Sequence, residues 1–144
     1  MKMRTLTEWL DAYAASHQNP TNKLIHWLCV PAIMFSIIGI VWSFSPVAVF
    51  VVMAATLIFY FILSLPLSLA IIVLYVVMSC IAVSLGESLL NVSVTVFVVA
   101  WIFQFIGHKI EGKKPSFFED IQFLLIGPLW CLSFLFKKWN LRIL

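Results

Sequence analysis

The amino-acid sequence predicts an all-α integral membrane protein with four transmembrane helices, an N-terminal interfacial helix and a C-terminal short or re-entrant apolar helix pair. Three observations lead there. The 144-residue chain is 63% hydrophobic and 10% charged, against roughly 45–50% and 25% in soluble domains. No Asp, Glu, Lys or Arg occurs from Leu24 to Gly86, a run too long for the core of a small water-soluble fold. Proline divides that run into pieces of about 20 residues, the length of helix that crosses about 30 Å of hydrocarbon. The chain reads as a single membrane domain over 1–144.

The first element is an amphipathic helix within 1–19. Leu6, Trp9, Leu10 and Tyr13 recur at i, i+3, i+4 and i+7, Thr5 and Glu8 have the spacing of a capping box, and Asn19-Pro20 ends the segment or caps the next helix. Beside a membrane span such a helix is expected in the interface, with its aromatic rings at headgroup depth; an ordinary surface helix is the alternative. Transmembrane helices follow over 20–45, 46–65, 66–86 and 88–107. Pro46 and Pro66 suit the first turn of a helix, where a missing N–H costs nothing, so the connections should be short; a kinked continuation is the other possibility. Glu87 precedes the fourth span and Lys109 is the first charge after it. A cytoplasmic loop is assigned to 108–120. The apolar stretch 121–136 is short and carries Gly127-Pro128 at its middle, so it should re-enter or form a fifth apolar segment.

Four crossings return the chain to its starting side, which provides a test by charge. The N-terminal segment (Lys2, Arg4, Lys23) and the following loop (Lys109, Lys113, Lys114) both carry basic residues, so both are placed in the cytoplasm. A re-entrant 121–136 keeps Lys137, Lys138 and Arg142 there too. The membrane would be a bacterial inner membrane or the endoplasmic reticulum. Acidic residues follow the first basic ones before any apolar region, so no cleavable signal peptide is expected and the first span does the targeting.

Composition excludes several function classes. A net charge of +3 without a basic stripe leaves no footprint for nucleic acid. Cys29, Cys80 and Cys131 are far apart in apolar stretches and read as small buried hydrophobes, not as a thiolate metal site or a disulfide framework. There is no dinucleotide fingerprint, P-loop or G-x-S-x-G. Charge-free spans offer no ion path, which weighs against a transporter subunit, although a non-enzymatic membrane scaffold stays open.

The sequence holds three histidines, His17, His26 and His108. The predicted topology puts all three at one membrane face, two near the start of the first span and one at the end of the fourth. Imidazole offers a neutral nitrogen near pH 7, so three at one depth can bind zinc, iron or copper without thiolates; decoration of the headgroup region is the bland alternative. Asn22 and His26 are i, i+4, and His108 and Glu111 are i, i+3, so each helix end can direct a pair toward one point. Oxygen and nitrogen donors together favour non-haem Fe(II) or a zinc site with a hydrolytic water. Glu111 can instead pair with Lys113 or Lys114 in solvent. Gln104, an amide within an apolar span, should face the bundle interior and brace a ligand.

At these residues the chain resembles the membrane-embedded 2-hydroxy fatty acid dioxygenases, best known from a fungal endoplasmic-reticulum enzyme. One matching run is Tyr13-x3-His17-x-Asn19-Pro20-x-Asn22-x3-His26, continuing into Val30-Pro31 and Ser36. The other is Trp101-Ile102-Phe103-Gln104-Phe105-Ile106-Gly107-His108, followed by Glu111, Lys113-Lys114-Pro115 and the block with Gly127-Pro128. The resemblance implies Fe(II)-dependent α-oxidation, in which a 2-hydroxy fatty acid and O2 give a fatty acid one carbon shorter, with His17, His26 and His108 as metal ligands. Some relatives have another histidine where Gln18 stands, and a Glu one residue beyond Glu111. The fourth ligand therefore stays open among a water, Glu111 and Asn22. A 2-hydroxy acid can chelate a partly filled metal shell through a carboxylate oxygen and its hydroxyl. Its tail would lie among the spans, with Tyr13, Asn22 and Gln104 around the site and Lys23, Lys109 or Lys113 attracting the anion. Imidazoles must be neutral to bind, so activity should fall below about pH 6.

Overall fold

The structure is a computed structural model that describes residues 4–143; Lys2 of the basic N-terminal segment, the start of the expected 1–19 helix and Leu144 lie outside the described residues. Among the described residues six α-helices follow one another: α1 (Leu6–Ala14), α2 (Pro20–Phe44), α3 (Pro46–Leu63), α4 (Leu65–Leu85), α5 (Leu89–Glu111) and α6 (Phe123–Lys138). Short 3-10 turns occupy Gly86–Ser88 and Ser116–Phe118. No strand occurs among the described residues, in agreement with the all-α expectation.

Local chemistry sets the helix starts. The Thr5 hydroxyl accepts from the Glu8 amide while the Glu8 carboxylate accepts from the Thr5 amide, closing a capping box on α1. The Asn19 side chain caps α2, with Pro20 in its first turn. The junctions α2–α3 and α3–α4 use one device twice. Ser45 and Ser64 are extended, their hydroxyls accept from Ala48 and Leu67, and Pro46 and Pro66 sit in the first turns that follow. Each serine also donates its amide back to the preceding helix, at Val41 and Tyr60, so one residue ends one helix and starts the next.

Among the described residues three helical stretches are long and apolar enough to cross a membrane: Pro20–Phe44, Pro46–Leu63 and Leu65–Glu111, the last containing the Gly86–Ser88 turn. Their outer faces leave large apolar side chains uncovered, Phe44 at 78% and Leu28 at 68% exposure, which suits hydrocarbon and not water. Gly86 takes a left-handed φ of 51° where α4 ends. The helix α5 packs against α2 in antiparallel register: His108 lies beside His26 and Gly107 beside Asn22, while Gly39 meets Ser93 at the other end. A Cβ on Gly39 would collide with the Ser93 hydroxyl, so a small residue permits this approach.

One feature differs from expectation, and another is specified by packing. The apolar face of α1 (Leu6, Trp9, Leu10, Tyr13) is buried within the protein against α6, with Trp9 edge-on to Phe123 at 5.1 Å and Tyr13 at 5.3 Å from Trp130. The C-terminal apolar stretch is one helix running through Gly127-Pro128, not a hairpin or helix pair. Proline at 128 removes a single backbone donor, and the segment Ile126–Ser133 is buried, so packing outweighs that loss. Gly127 lets this helix approach Tyr13 and Val30 closely. Cys29 and Cys131 are buried as expected, whereas Cys80 is exposed on α4.

Candidate metal centre

The link between α1 and α2 and the end of α5 bring the three histidines together. His17 follows α1, His26 lies on the second turn of α2, and His108 is on the last turn of α5. All three are buried, at 1%, 1% and 5% exposure. One ligand nitrogen from each lies within 4.8 Å of the others. Their ring centroids are 4.2 Å (His17–His26), 5.0 Å (His17–His108) and 4.7 Å (His26–His108) apart, with planes steeply inclined. Rings that merely pack could adopt many orientations; these turn nitrogens inward.

Hydrogen bonds set which nitrogens are available. His17 Nδ1 donates to the Tyr13 carbonyl at 2.6 Å and His26 Nδ1 to the Asn22 carbonyl at 2.9 Å, which leaves the lone pair of each on Nε2. His17 Nε2 is buried without a partner, and His26 Nε2 lies 3.1 Å from His108 Nε2. Burial lowers His17 to about 4, against the opposing effect of its bond to Tyr13, so the ring is neutral near pH 7. The Tyr13 ring stacks on His17 at 4.2 Å, and burial pushes its own hydroxyl up. One buried nitrogen without a partner beside two that face each other at 3.1 Å fits the donor set of a divalent transition metal, and a buried nitrogen without a partner is otherwise costly.

Glu111 stands just outside this triad. Its carboxylate accepts from the Gln18 amide (2.8 Å), the Asn19 amide (2.8 Å) and Asn22 Nδ2 (3.0 Å). It ties the α1–α2 link to the end of α5 and does not pair with Lys113, whose ammonium donates to the Ala15 carbonyl. Asn22 is fully buried; its amide nitrogen also donates to the Ser16 carbonyl, and its Oδ1 faces Gly107 without a hydrogen-bond partner. Gly112, left-handed at φ 73°, ends α5 directly after Glu111.

A cavity of about 270 Å³ begins at the triad. Tyr13, Gln104 and Trp101 line it beside the histidines, and Gln104 is buried as an interior amide should be. Away from the histidines its walls are mostly aliphatic and aromatic. Lys23, Lys109 and Lys113 do not line it. Sequence reasoning did not single out Ser116, which lines the cavity and whose hydroxyl bonds that of Ser16, or Trp130, whose ring lies 5.3 Å from His17. Trp101 opens the second matching run, but the sequence assigned no role to its indole, whose buried N–H has no partner. Trp101 stands seven residues before His108, on the same helix face, and that spacing was the available signal.

The chain is 34% identical over 142 residues to 2-hydroxy-palmitic acid dioxygenase MPO1 of Saccharomyces cerevisiae (strain ATCC 204508 / S288c), covering 92% of this chain and 80% of that protein. No solved structure matches it. The model of a family described as 2-hydroxy-palmitic acid dioxygenase Mpo1-like matches residues 3–139. With both histidine-bearing ends and the apolar middle inside that match, this chain belongs to the Mpo1-like family.

Proposed function

We propose that this protein is an Fe(II)-dependent dioxygenase that shortens 2-hydroxy fatty acids by one carbon, with the metal held by His17, His26 and His108. The observation that carries this reading is the set of three buried imidazoles whose ligand nitrogens lie within 4.8 Å of one another at the head of an apolar cavity. The yeast relative's name supplies the substrate class. When bound, Fe(II) would supply the redox chemistry by which O2 cleaves the bond between C1 and C2 of a 2-hydroxy acid.

The protein's own contribution is orientation and exclusion. The carbonyls of Tyr13 and Asn22 hold His17 and His26 in the tautomer that presents Nε2. Glu111 keeps the two histidine-bearing segments in register, as a positioning residue, because its oxygens are taken by Gln18, Asn19 and Asn22. Gln104 and the Trp101 indole present polar groups to the carboxyl end of a substrate lying in the cavity. The apolar walls keep water from the reacting carbons. The lysines at 23, 109 and 113 act at longer range, drawing the anion to the membrane face.

Four crossings are part of the same proposal, with the N-terminus and the loop after α5 both cytoplasmic. The antiparallel packing of α5 on α2 supports it, because His108 must return to the level of His26 after the turn at Gly86.

Protein purified under reducing, anaerobic conditions should carry iron at one equivalent per chain and convert 2-hydroxy fatty acids to acids one carbon shorter. His17→Ala, His26→Ala and His108→Ala should each lose both. Zinc in place of iron, or turnover retained in all three variants, would reject the reading.

A further inference from the structure

The candidate site is closed on its polar side. All three histidines are at most 5% exposed. Glu111 holds Gln18 and Asn19, the Ser16 and Ser116 hydroxyls bond each other, and Lys113 is tied to the Ala15 carbonyl. The cavity opens elsewhere. From His26 a single stripe of α2, Val30, Ile33, Met34 and Ile37, lines it at helical spacing. At the end of this stripe Ile37 is 42% exposed, and Val52 of α3, also lining the cavity, is 46% exposed. Ile38, Tyr60 and Tyr75, which also line it, are each below 10% exposure. A residue that both lines a cavity and is half uncovered marks its opening, and here the surrounding surface is bare apolar helix, Val51 included at 64%.

We infer that the cavity opens sideways into the hydrocarbon layer between α2 and α3, and that the substrate's tail runs along the α2 stripe and out past Ile37 and Val52. This rests on the 2-hydroxy fatty acid reading. From His26 to Ile37 the helix rises about 16 Å. An extended chain advances roughly 1.2 Å per bond, so about 14 carbons reach the opening. Shorter acids stay inside, and longer ones project into the bilayer at no steric cost, so the site sets no upper limit on chain length. Leu124, at the start of α6, is the third half-uncovered lining residue, at 41%, but it follows the loop that closes the polar side.

The test uses the full-length protein in lipid with 2-hydroxy acids well below and well above that length. Ile37→Trp combined with Val52→Trp should cut turnover of the long acid at least about tenfold more than that of the short acid, since two indoles fill the space through which only the long tail must pass. Val73→Trp, on the outer face of α4, should alter neither. A second readout needs no turnover. Without O2, a long 2-hydroxy acid bearing a diazirine near about carbon 14 should photolabel peptides containing Ile37 or Val52. Equal effects on both acids, no effect on either, a length-dependent loss in Leu124→Trp instead, or labelling confined to other segments would overturn the opening. Wild-type protein inert toward every acid would instead defeat the dioxygenase reading, and the labelling pattern would still decide the route.

Discussion

At the scale of single residues, the informative contrast is between His17 and Glu111. Both are polar; His17 comes from the link between α1 and α2 and Glu111 from the last turn of α5. His17 is buried with one nitrogen tied to a carbonyl and the other free, the arrangement of a ligand. Glu111 has its oxygens filled by three N–H donors, the arrangement of a brace. Hydrogen bonds to a charged acceptor are each worth about 1.5–3 kcal/mol. Glu111→Ala should therefore free the Gln18–Asn22 segment and destabilise the protein by a few kcal/mol. Faster amide exchange at Gln18 and Asn19, together with weaker metal retention, would show it; unchanged exchange would count against the brace. The histidines themselves were legible from the sequence because the chain has only three and a four-span topology puts all at one face. The brace was not, because i, i+3 spacing from His108 suits a ligand and a clamp equally.

Among the elements, the decisive contact is between α2 and α5, two helices far apart in sequence. Their axes approach at Gly39 against Ser93 and at Gly107 against Asn22. Without a hydrophobic drive inside lipid, close approach at small residues and buried polar contacts hold such a pair. In Gly107→Ala the new methyl would land on the Asn22 side chain, which would have to rotate away from Ser16 and Glu111. Overpacking of this kind costs roughly 1–3 kcal/mol. The expected result is retained helicity by circular dichroism with loss of metal retention; full retention would mean that Asn22 adapts freely. The helix starts were readable in advance, since Ser-Pro and Asn-Pro steps are local chemistry. The course of α6 was not: a proline argues for a break on local grounds, and only the buried surroundings of Ile126 to Leu129 show why the helix continues.

For the whole molecule, the testable statement is topology. Single cysteines introduced by Asp11→Cys, Glu87→Cys and Lys114→Cys, in a chain with Cys29, Cys80 and Cys131 replaced, should divide by side. Membrane-impermeant thiol reagent should reach positions 11 and 114 from one face and position 87 from the other. Labelling of all three from one face would contradict four crossings. The tertiary arrangement makes the outcome matter, because the triad forms only if α5 returns to the level at which α2 begins.

Composition alone determined that this chain belongs in a membrane, and the spacing of prolines, caps and charges determined its helical plan, because burial in hydrocarbon and backbone hydrogen bonding are properties that each segment carries by itself. Tertiary structure decided what covers α1, that the last apolar stretch is one helix, which nitrogens of the histidines are free, and where the cavity opens. Those outcomes depend on which side chains of distant segments arrive at the same place, and a hydrogen bond from Asn22 to Glu111 or an uncovered Ile37 exists only once α2, α3 and α5 have packed.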